Sequence, residues 1–160
     1  MVLFDFSSGS TLSNWYVMDD VVMGGRSQGQ FDTTNEGFAQ FYGNVSLENN
    51  GGFSSVRLQP GKQEIKGYTQ CRIRFKGDGK RYQFRVKRGL DDRHSYIKYF
   101  ETTGDWQTII IPLEECYPTF RGRRLDMDNY NVDHLSEISF LVGNKKAESF
   151  CLILDWMWIE

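Results

Sequence analysis

Histidine is nearly missing from this chain of 160 residues, which has two, and cysteine and proline are scarce at three each. With only His94 and His134 available, catalysis by an imidazole general base has few places to start. Cys71, Cys116 and Cys151 lie far apart and form no Cys-x-x-Cys pair, so neither a zinc ribbon nor a redox motif is indicated, and free thiols are expected. No apolar run approaches the roughly 18 residues that span a bilayer. No lysine or arginine precedes Arg26, and the first fifteen residues contain no long apolar core. That start predicts neither a secretory signal nor an arginine-rich transit peptide, and therefore a cytoplasmic location, or a mitochondrial one if a presequence has been trimmed. Helical periodicity is weak throughout; "NYNVDHLSE" could hold one short turn or helix. Recognised nucleic-acid and cofactor motifs are also missing, and the net charge of −2 argues against a nucleic-acid partner.

What the chain does have is strand chemistry. Aromatics make up 15 % of it, β-branched residues are frequent, and 16 glycines punctuate the pattern. In "TQCRIRFKGDGKRYQFRVKR", Cys71, Ile73 and Phe75 alternate with Arg72, Arg74 and Lys76. Beyond Gly77-Asp78-Gly79, Tyr82, Phe84 and Val86 alternate with Gln83, Arg85 and Lys87. This reads as a hairpin with one apolar and one basic face. "GFAQFYGNVSL" and "GGFSSVRL" read as a second pair around Asn49-Asn50-Gly51-Gly52. "SYIKYF", "WQTIIIP", "SEISFLVG" and "SFCLILDWMWIE" complete the set. The last is apolar in both phases, with Phe150, Leu152, Leu154, Trp156 and Trp158 on one and Cys151, Ile153, Met157 and Ile159 on the other, which predicts a central strand covered on both sides. Eight or more strands in a single domain over residues 1–160 predict an all-β sandwich or barrel.

Gly25-Arg26-Ser27-Gln28-Gly29 fits the G-x-S-x-G pattern of a hydrolase nucleophile elbow. An elbow requires a helix after the serine, and "QGQFDTTNEG" is polar and not helix-periodic. No oxyanion loop is evident either, so a serine hydrolase ranks third and the chain is expected not to be an enzyme. Met23 would fill a gap in the core beside the glycine bend. Asp19, Asp20, Arg26 and Ser27, with Asn49, Asn50, Ser54 and Arg57, form an unusual polar collection on glycine-rich bends. Such groups suit a polar ligand or a partner loop, or else close turns through their own side chains.

Charge is uneven. Arg26 stands alone against six acids in residues 1–50, whereas residues 72–98 carry ten cations against three aspartates. Arg72, Arg74, Lys76, Arg85 and Lys87 on one face would repel one another unless an acidic partner or acidic neighbours offset them. Tyr96, Tyr99, Trp106, Trp156 and Trp158 could stack on sugars or fill the core; Tyr96 and Tyr99 must point to opposite sheet faces.

Two long glycine motifs carry a resemblance. "W-x-x-x-D-D-V-V-M-G-G-R-S-x-G" from Trp15 and "F-x-G-x-V-S-L-E-N-N-G-G-F-S-S-V-R" from Phe41 to Arg57 resemble the complex I intermediate-associated protein 30 family. The likeness continues through "Y-x-F-R" at Tyr82, "W-Q-T-I-I-I-P" at Trp106, "P-T-F-R-G-R" at Pro118 and the closing "F-C-L-I-L-D-W-M-W-I". It implies a galactose-binding-like jelly-roll sandwich similar to carbohydrate-binding modules, and a non-catalytic role without cofactor. Mitochondrial members assist assembly of respiratory complex I, so a protein partner is expected, with a respiratory-chain subunit as one candidate. The alternative is a carbohydrate ligand on the same loops. Jelly rolls of this kind often hold a structural calcium with carboxylates of the first and last strands, a place that Asp5 and Asp155 occupy here; two ligands fall short of the six to eight that calcium takes.

Overall fold

The computed structural model describes the backbone of all 160 residues and every side chain except those of Val22 and Met23. The expectation that Met23 plugs the core therefore lies outside the described residues. Fifteen strands are present: β1 (Val2–Asp5), β2 (Trp15–Asp19), β3 (Gln28–Thr33), β4 (Ala39–Val45), β5 (Ser54–Leu58), β6 (Gln63–Glu64), β7 (Gln70–Lys76), β8 (Arg81–Lys87), β9 (Ser95–Glu101), β10 (Trp106–Pro112), β11 (Tyr117–Phe120), β12 (Arg123–Arg124), β13 (His134–Leu135), β14 (Glu137–Val142) and β15 (Glu148–Ile159). One sheet runs β10-β7-β15-β4-β3, with β1 alongside the end of β15. The other runs β12-β11-β9-β8-β14-β5-β2, and β13 and β6 form a small third sheet. All pairings are antiparallel. This is the predicted all-β jelly-roll sandwich, with the first and last strands paired.

The core lies between the two large sheets. Phe41, Ile73, Phe75, Leu152 and Leu154 face Tyr82, Phe84, Val86, Phe140 and Val56. Phe75 and Phe100 meet across it with ring centroids 5.1 Å apart, and Phe100 packs edge-on to Phe140 at 6.3 Å. Truncating one of these buried rings to alanine would cost about 3–5 kcal/mol.

Two expected hairpins are not hairpins. Strands β7 and β8 belong to different sheets, as do β4 and β5. Period-2 alternation reveals which face of a strand is buried but not which strand lies beside it. Between β7 and β8 the chain crosses from one sheet to the other. Asp78 secures the crossing, accepting hydrogen bonds from the Tyr82 hydroxyl at 3.0 Å and from the Cys151 backbone N–H at 2.8 Å. The predicted basic face is thus divided: Arg72, Arg74 and Lys76 lie on the outside of one sheet, Arg85 and Lys87 on the outside of the other. Acidic neighbours meet part of it, with Arg72 bonded to Glu160 at 2.7 Å and Arg74 to Asp155 at 2.5 Å.

Strand β15 is central, as predicted, but its phases are not. A bulge between Leu154 and Trp156 shifts the register. One extra residue reverses the alternation beyond it. Phe150, Leu152 and Leu154 point inward before the bulge; Met157 and Ile159 do so after it. Trp156 and Trp158 are therefore turned to the outer face, half-buried and stacked 3.9 Å apart, so this side is not covered by another layer. "NYNVDHLSE" forms no helix; it supplies the buried Tyr130 and the short strand β13. The three cysteines are free thiols, and burial pushes the Cys116 thiol up to about 12.

Candidate functional site

The polar residues singled out in the two glycine loops are brought together, but mostly to bind each other. Asp20 is fully buried. Its carboxylate accepts from the Ser27 backbone N–H at 2.9 Å, the Ser27 hydroxyl at 2.5 Å, the Gly52 N–H at 2.6 Å and the Phe53 N–H at 3.2 Å. Burial alone would raise this carboxyl; the hydrogen bonds from Ser27, Gly52 and Phe53 outweigh it and hold the pKa below the ordinary carboxylate value. Next to it, Asp19 accepts from the Gly29 N–H at 3.0 Å and the Ser54 hydroxyl at 2.5 Å. The glycines follow from this closeness. A Cβ on Gly25 would lie 2.3 Å from the Asp20 carboxyl carbon, one on Gly51 2.5 Å from an Asp20 oxygen, and one on Gly29 2.1 Å from the Ser54 oxygen.

Ser27 also accepts from the Ser46 N–H at 2.9 Å. With its hydroxyl buried and directed at Asp20, and with β3 rather than a helix after it, Ser27 has none of the geometry of a nucleophile elbow. The two histidines sit elsewhere, His94 against Tyr96 and His134 against Asp133. Arg26, Asn49 and Asn50 are exposed at the rim of this joint. Arg26 pairs with Glu48 at 3.7 Å, and both asparagines adopt left-handed backbone at φ 56° and 60°.

Arg57, the remaining predicted residue, goes a different way. It stands on the outer face of the seven-stranded sheet, where antiparallel register lays side chains in rows. One row crosses six strands: Tyr16, Arg57, Ser139, Arg85, Ile97 and Tyr117. The next holds Met18, Ser55, Leu141, Gln83 and Tyr99. Above these rows lies a groove of about 560 Å³, walled by Gly52 and Phe53 at one end and by the turn Phe120–Arg124 and Arg93 at the other. A second hollow of about 590 Å³, around Arg81, Asn144 and Lys146, shares Tyr99 and Gly143 with it and lengthens it.

The floor of the groove is held by a buried polar network. Glu137, 3 % exposed, accepts from the Tyr16 hydroxyl and from the Gln59 amide, each at 3.0 Å, and lies 3.8 Å from Arg57. Burial first, and then Glu137, raise the Tyr16 hydroxyl pKa. Arg85 donates to Gln83 at 2.7 Å, and Gln83 donates to the Tyr99 hydroxyl at 3.2 Å. Burial, reinforced by the Arg57 charge, pushes Arg85 down to about 10. Arg57 Nε is buried without a hydrogen-bond partner. Guanidinium groups lie over two aromatic faces, Arg81 at 3.5 Å from the Tyr99 ring centre and Arg124 at 4.5 Å from that of Tyr117. This surface presents hydrogen-bond donors and ring edges that nothing in the chain fully uses.

Sequence reasoning found Arg57 and missed most of its neighbours. Glu137 was the available signal, as a carboxylate in a largely apolar strand segment; "YPTFRGRR" was another, with three arginines around one glycine. The aromatic set divides three ways: Tyr96 is core, Tyr99 lines the groove, and Trp106, Trp156 and Trp158 are on the opposite outer face, so they form no common platform. Tyr96 and Tyr99 do face opposite sides. The calcium candidates are otherwise engaged. Asp155 takes Arg74 on one oxygen and the Ser7 hydroxyl on the other, while both Asp5 oxygens accept from Ser8. Among the described residues, no group of three or more ligating side chains could hold a metal.

The comparisons with known proteins agree with this architecture. The family model described as complex I intermediate-associated protein 30 matches residues 4–154. A mouse relative, "Complex I intermediate-associated protein 30, mitochondrial", is 24 % identical over 99 % of this chain and 55 % of its own length, so the chain spans about half of that protein. Among solved structures, a family 11 carbohydrate-binding module from Clostridium thermocellum in complex with a β-1,3-1,4-mixed-linked tetrasaccharide superposes with TM-score 0.67. It is 17 % identical, over 98 % of this chain and 92 % of that one. An exo-β-agarase matches with TM-score 0.61 at 13 % identity, over 99 % of this chain and 25 % of its own. At these identities the structures share the fold.

Proposed function

The chain belongs to the complex I intermediate-associated protein 30 family, and from that premise we propose that it is a binding domain whose ligand, a carbohydrate chain, lies along the groove on the seven-stranded sheet. The observation that carries this reading is the pairing of aromatic rings with polar side chains on one open surface, among them Arg57 with its unpartnered Nε. Tyr99, Tyr117 and Phe120 offer ring surface, each with a guanidinium over one face, and Arg57, Arg85 and Gln83 are the polar groups of the same lining. Sugars present apolar C–H faces and hydroxyls together, and a groove of this mixed kind meets both. The shared fold with carbohydrate-binding modules supports the reading. Recognition is by preformed side chains on rigid strands, with no covalent step. Calorimetry of the purified chain against a glycan panel tests it. Saturable binding that weakens at least about tenfold in Tyr117→Ala supports it, since truncating a stacked ring removes over 1 kcal/mol of contact. Binding unchanged in that variant, and in Tyr99→Ala, argues against the groove.

A protein partner is the second reading, favoured by family membership and by a mouse relative matched over 99 % of this chain. In that case Asp19, Asp20, Ser27 and Ser54 hold the rim in place, while Arg26, Asn49, Asn50 and Arg57 make the contact. Affinity capture from the native source, repeated with an Arg26→Ala, Asn50→Ala double variant, distinguishes the two. Partners lost in the double variant favour the rim; partners retained speak against it.

A further inference from the structure

Five arginines line the groove, Arg57, Arg85, Arg93, Arg121 and Arg124, and no aspartate or glutamate does; the hollow that lengthens it adds Arg81 and three lysines against Glu101 and Glu148. The whole chain is net negative at −2. Resting on the carbohydrate reading of this groove, we propose that its ligand is an anionic glycan, one that carries carboxylate or sulfate groups along its length.

Among the described residues, the only ion pair that any of the five makes is that of Arg57 with Glu137. Glu137 lies on the same sheet face beside the groove floor, in register with Lys87, and is shared with Tyr16 and Gln59, so a single buried carboxylate stands against five guanidinium groups. Concentrated like charge destabilises a fold unless counter-charge meets it. Arg57 and Arg85 make the point most sharply. They belong to one cross-strand row with only Ser139 between them, two strand spacings or roughly 10 Å apart. Both are largely withdrawn from water, and Arg57 Nε has no partner. A guanidinium offers a planar fork that fits carboxylate and sulfate oxygens, and a neutral sugar hydroxyl does not satisfy its charge. The burial that weakens Arg85 as a cation in the free protein makes an arriving anion more valuable, because screening is low there.

The position of the groove separates a glycan from an acidic peptide. It lies on a sheet face, not at an edge. The floor strands β5, β14, β8 and β9 are paired on both sides, so no free backbone N–H row is available for an extended peptide to join. Recognition must go through side chains, and these pair ring with charge: the Arg124 guanidinium lies over the Tyr117 ring, and in the adjoining hollow Arg81, itself 3.8 Å from Glu101, lies over Tyr99. A polymer that repeats a sugar ring and an acid group offers a partner to both kinds of side chain.

The test is calorimetry of the intact chain at low and high salt with four probes: oligogalacturonate, dextran sulfate, a neutral β-1,3-1,4-gluco-oligosaccharide and polyglutamate. Binding of either anionic glycan, with affinity falling at least about tenfold as exposed charges become screened, is expected. Arg85→Gln should abolish it. Arg124→Ala, an exposed position that does not endanger folding, should weaken it about tenfold, consistent with loss of one charge-assisted contact. Equal, salt-insensitive binding of the neutral glucan overturns the anionic proposal and leaves the carbohydrate reading in place. Binding of polyglutamate alone, or of none of the four, overturns both.

Discussion

The loop joint around Asp20 and the groove around Arg85 are built from similar polar residues, and they differ in what those residues have left to offer. At the joint, one buried carboxylate receives four hydrogen bonds and ties two glycine loops together from positions far apart in sequence. In the groove, Arg57 has an unpartnered Nε, and Arg93, Arg121 and Arg124 are exposed cations in no ion pair among the described residues. A polar cluster that satisfies itself is architecture. One that is held rigid yet left unsatisfied is available for recognition. The joint also serves the groove, since Gly52 and Phe53, which donate to Asp20, form one of the groove's walls.

The largest effect is expected at Asp20. Asp20→Ala leaves buried donors at Ser27, Gly52 and Phe53 without an acceptor, and should cost on the order of 4 kcal/mol, a fall in melting temperature of roughly 10 °C. The sign of its pH dependence follows from the lowered pKa. Its stabilisation is complete above the unfolded value near pH 4 and is lost as pH falls through the lower folded value. Asp20→Asn should therefore flatten the acid limb of the melting profile, and an unchanged limb would show that other carboxylates govern it. Next in size is Gly29→Ala, which sets a methyl against the Ser54 oxygen and should cost roughly 1–3 kcal/mol in urea unfolding.

Arg85→Gln tests the groove. It should remove glycan binding yet leave the urea midpoint unchanged or slightly raised, because it relieves a desolvated cation beside Arg57. A large loss of stability would place Arg85 with the scaffold. The smallest effect is expected at Arg26→Ala, an exposed pair 3.7 Å long, with no measurable shift in melting temperature. Ser27 should stay unlabelled by a fluorophosphonate probe, its hydroxyl being buried against Asp20.

The strands and their buried faces were legible because period-2 patterning is local: Tyr82, Phe84 and Val86 announce themselves. Pairing was not legible, because a crossing between sheets at Gly77-Asp78-Gly79 and a hairpin turn use the same residues. The bulge that turns Trp156 and Trp158 outward leaves no mark in composition. Asp20 and Arg57 both stood out as polar residues beside glycine motifs. Only the positions of their neighbours show that Asp20 is saturated and that Arg57 is not. The groove is a property of rows assembled across six strands, from residues as distant as Tyr16 and Glu137, and no sequence window contains it.

The most direct test of this division is chemical-shift mapping of the labelled protein on titration with oligogalacturonate, following the Arg57 and Arg85 side-chain Nε–H signals alongside the backbone. Saturable shifts are expected at those two side chains and along Tyr99, Tyr117 and Phe120–Arg124, with residues 19–29 nearly silent. Shifts confined to Arg26, Asn49 and Asn50, or to the Trp156–Trp158 face, would put the ligand outside the groove.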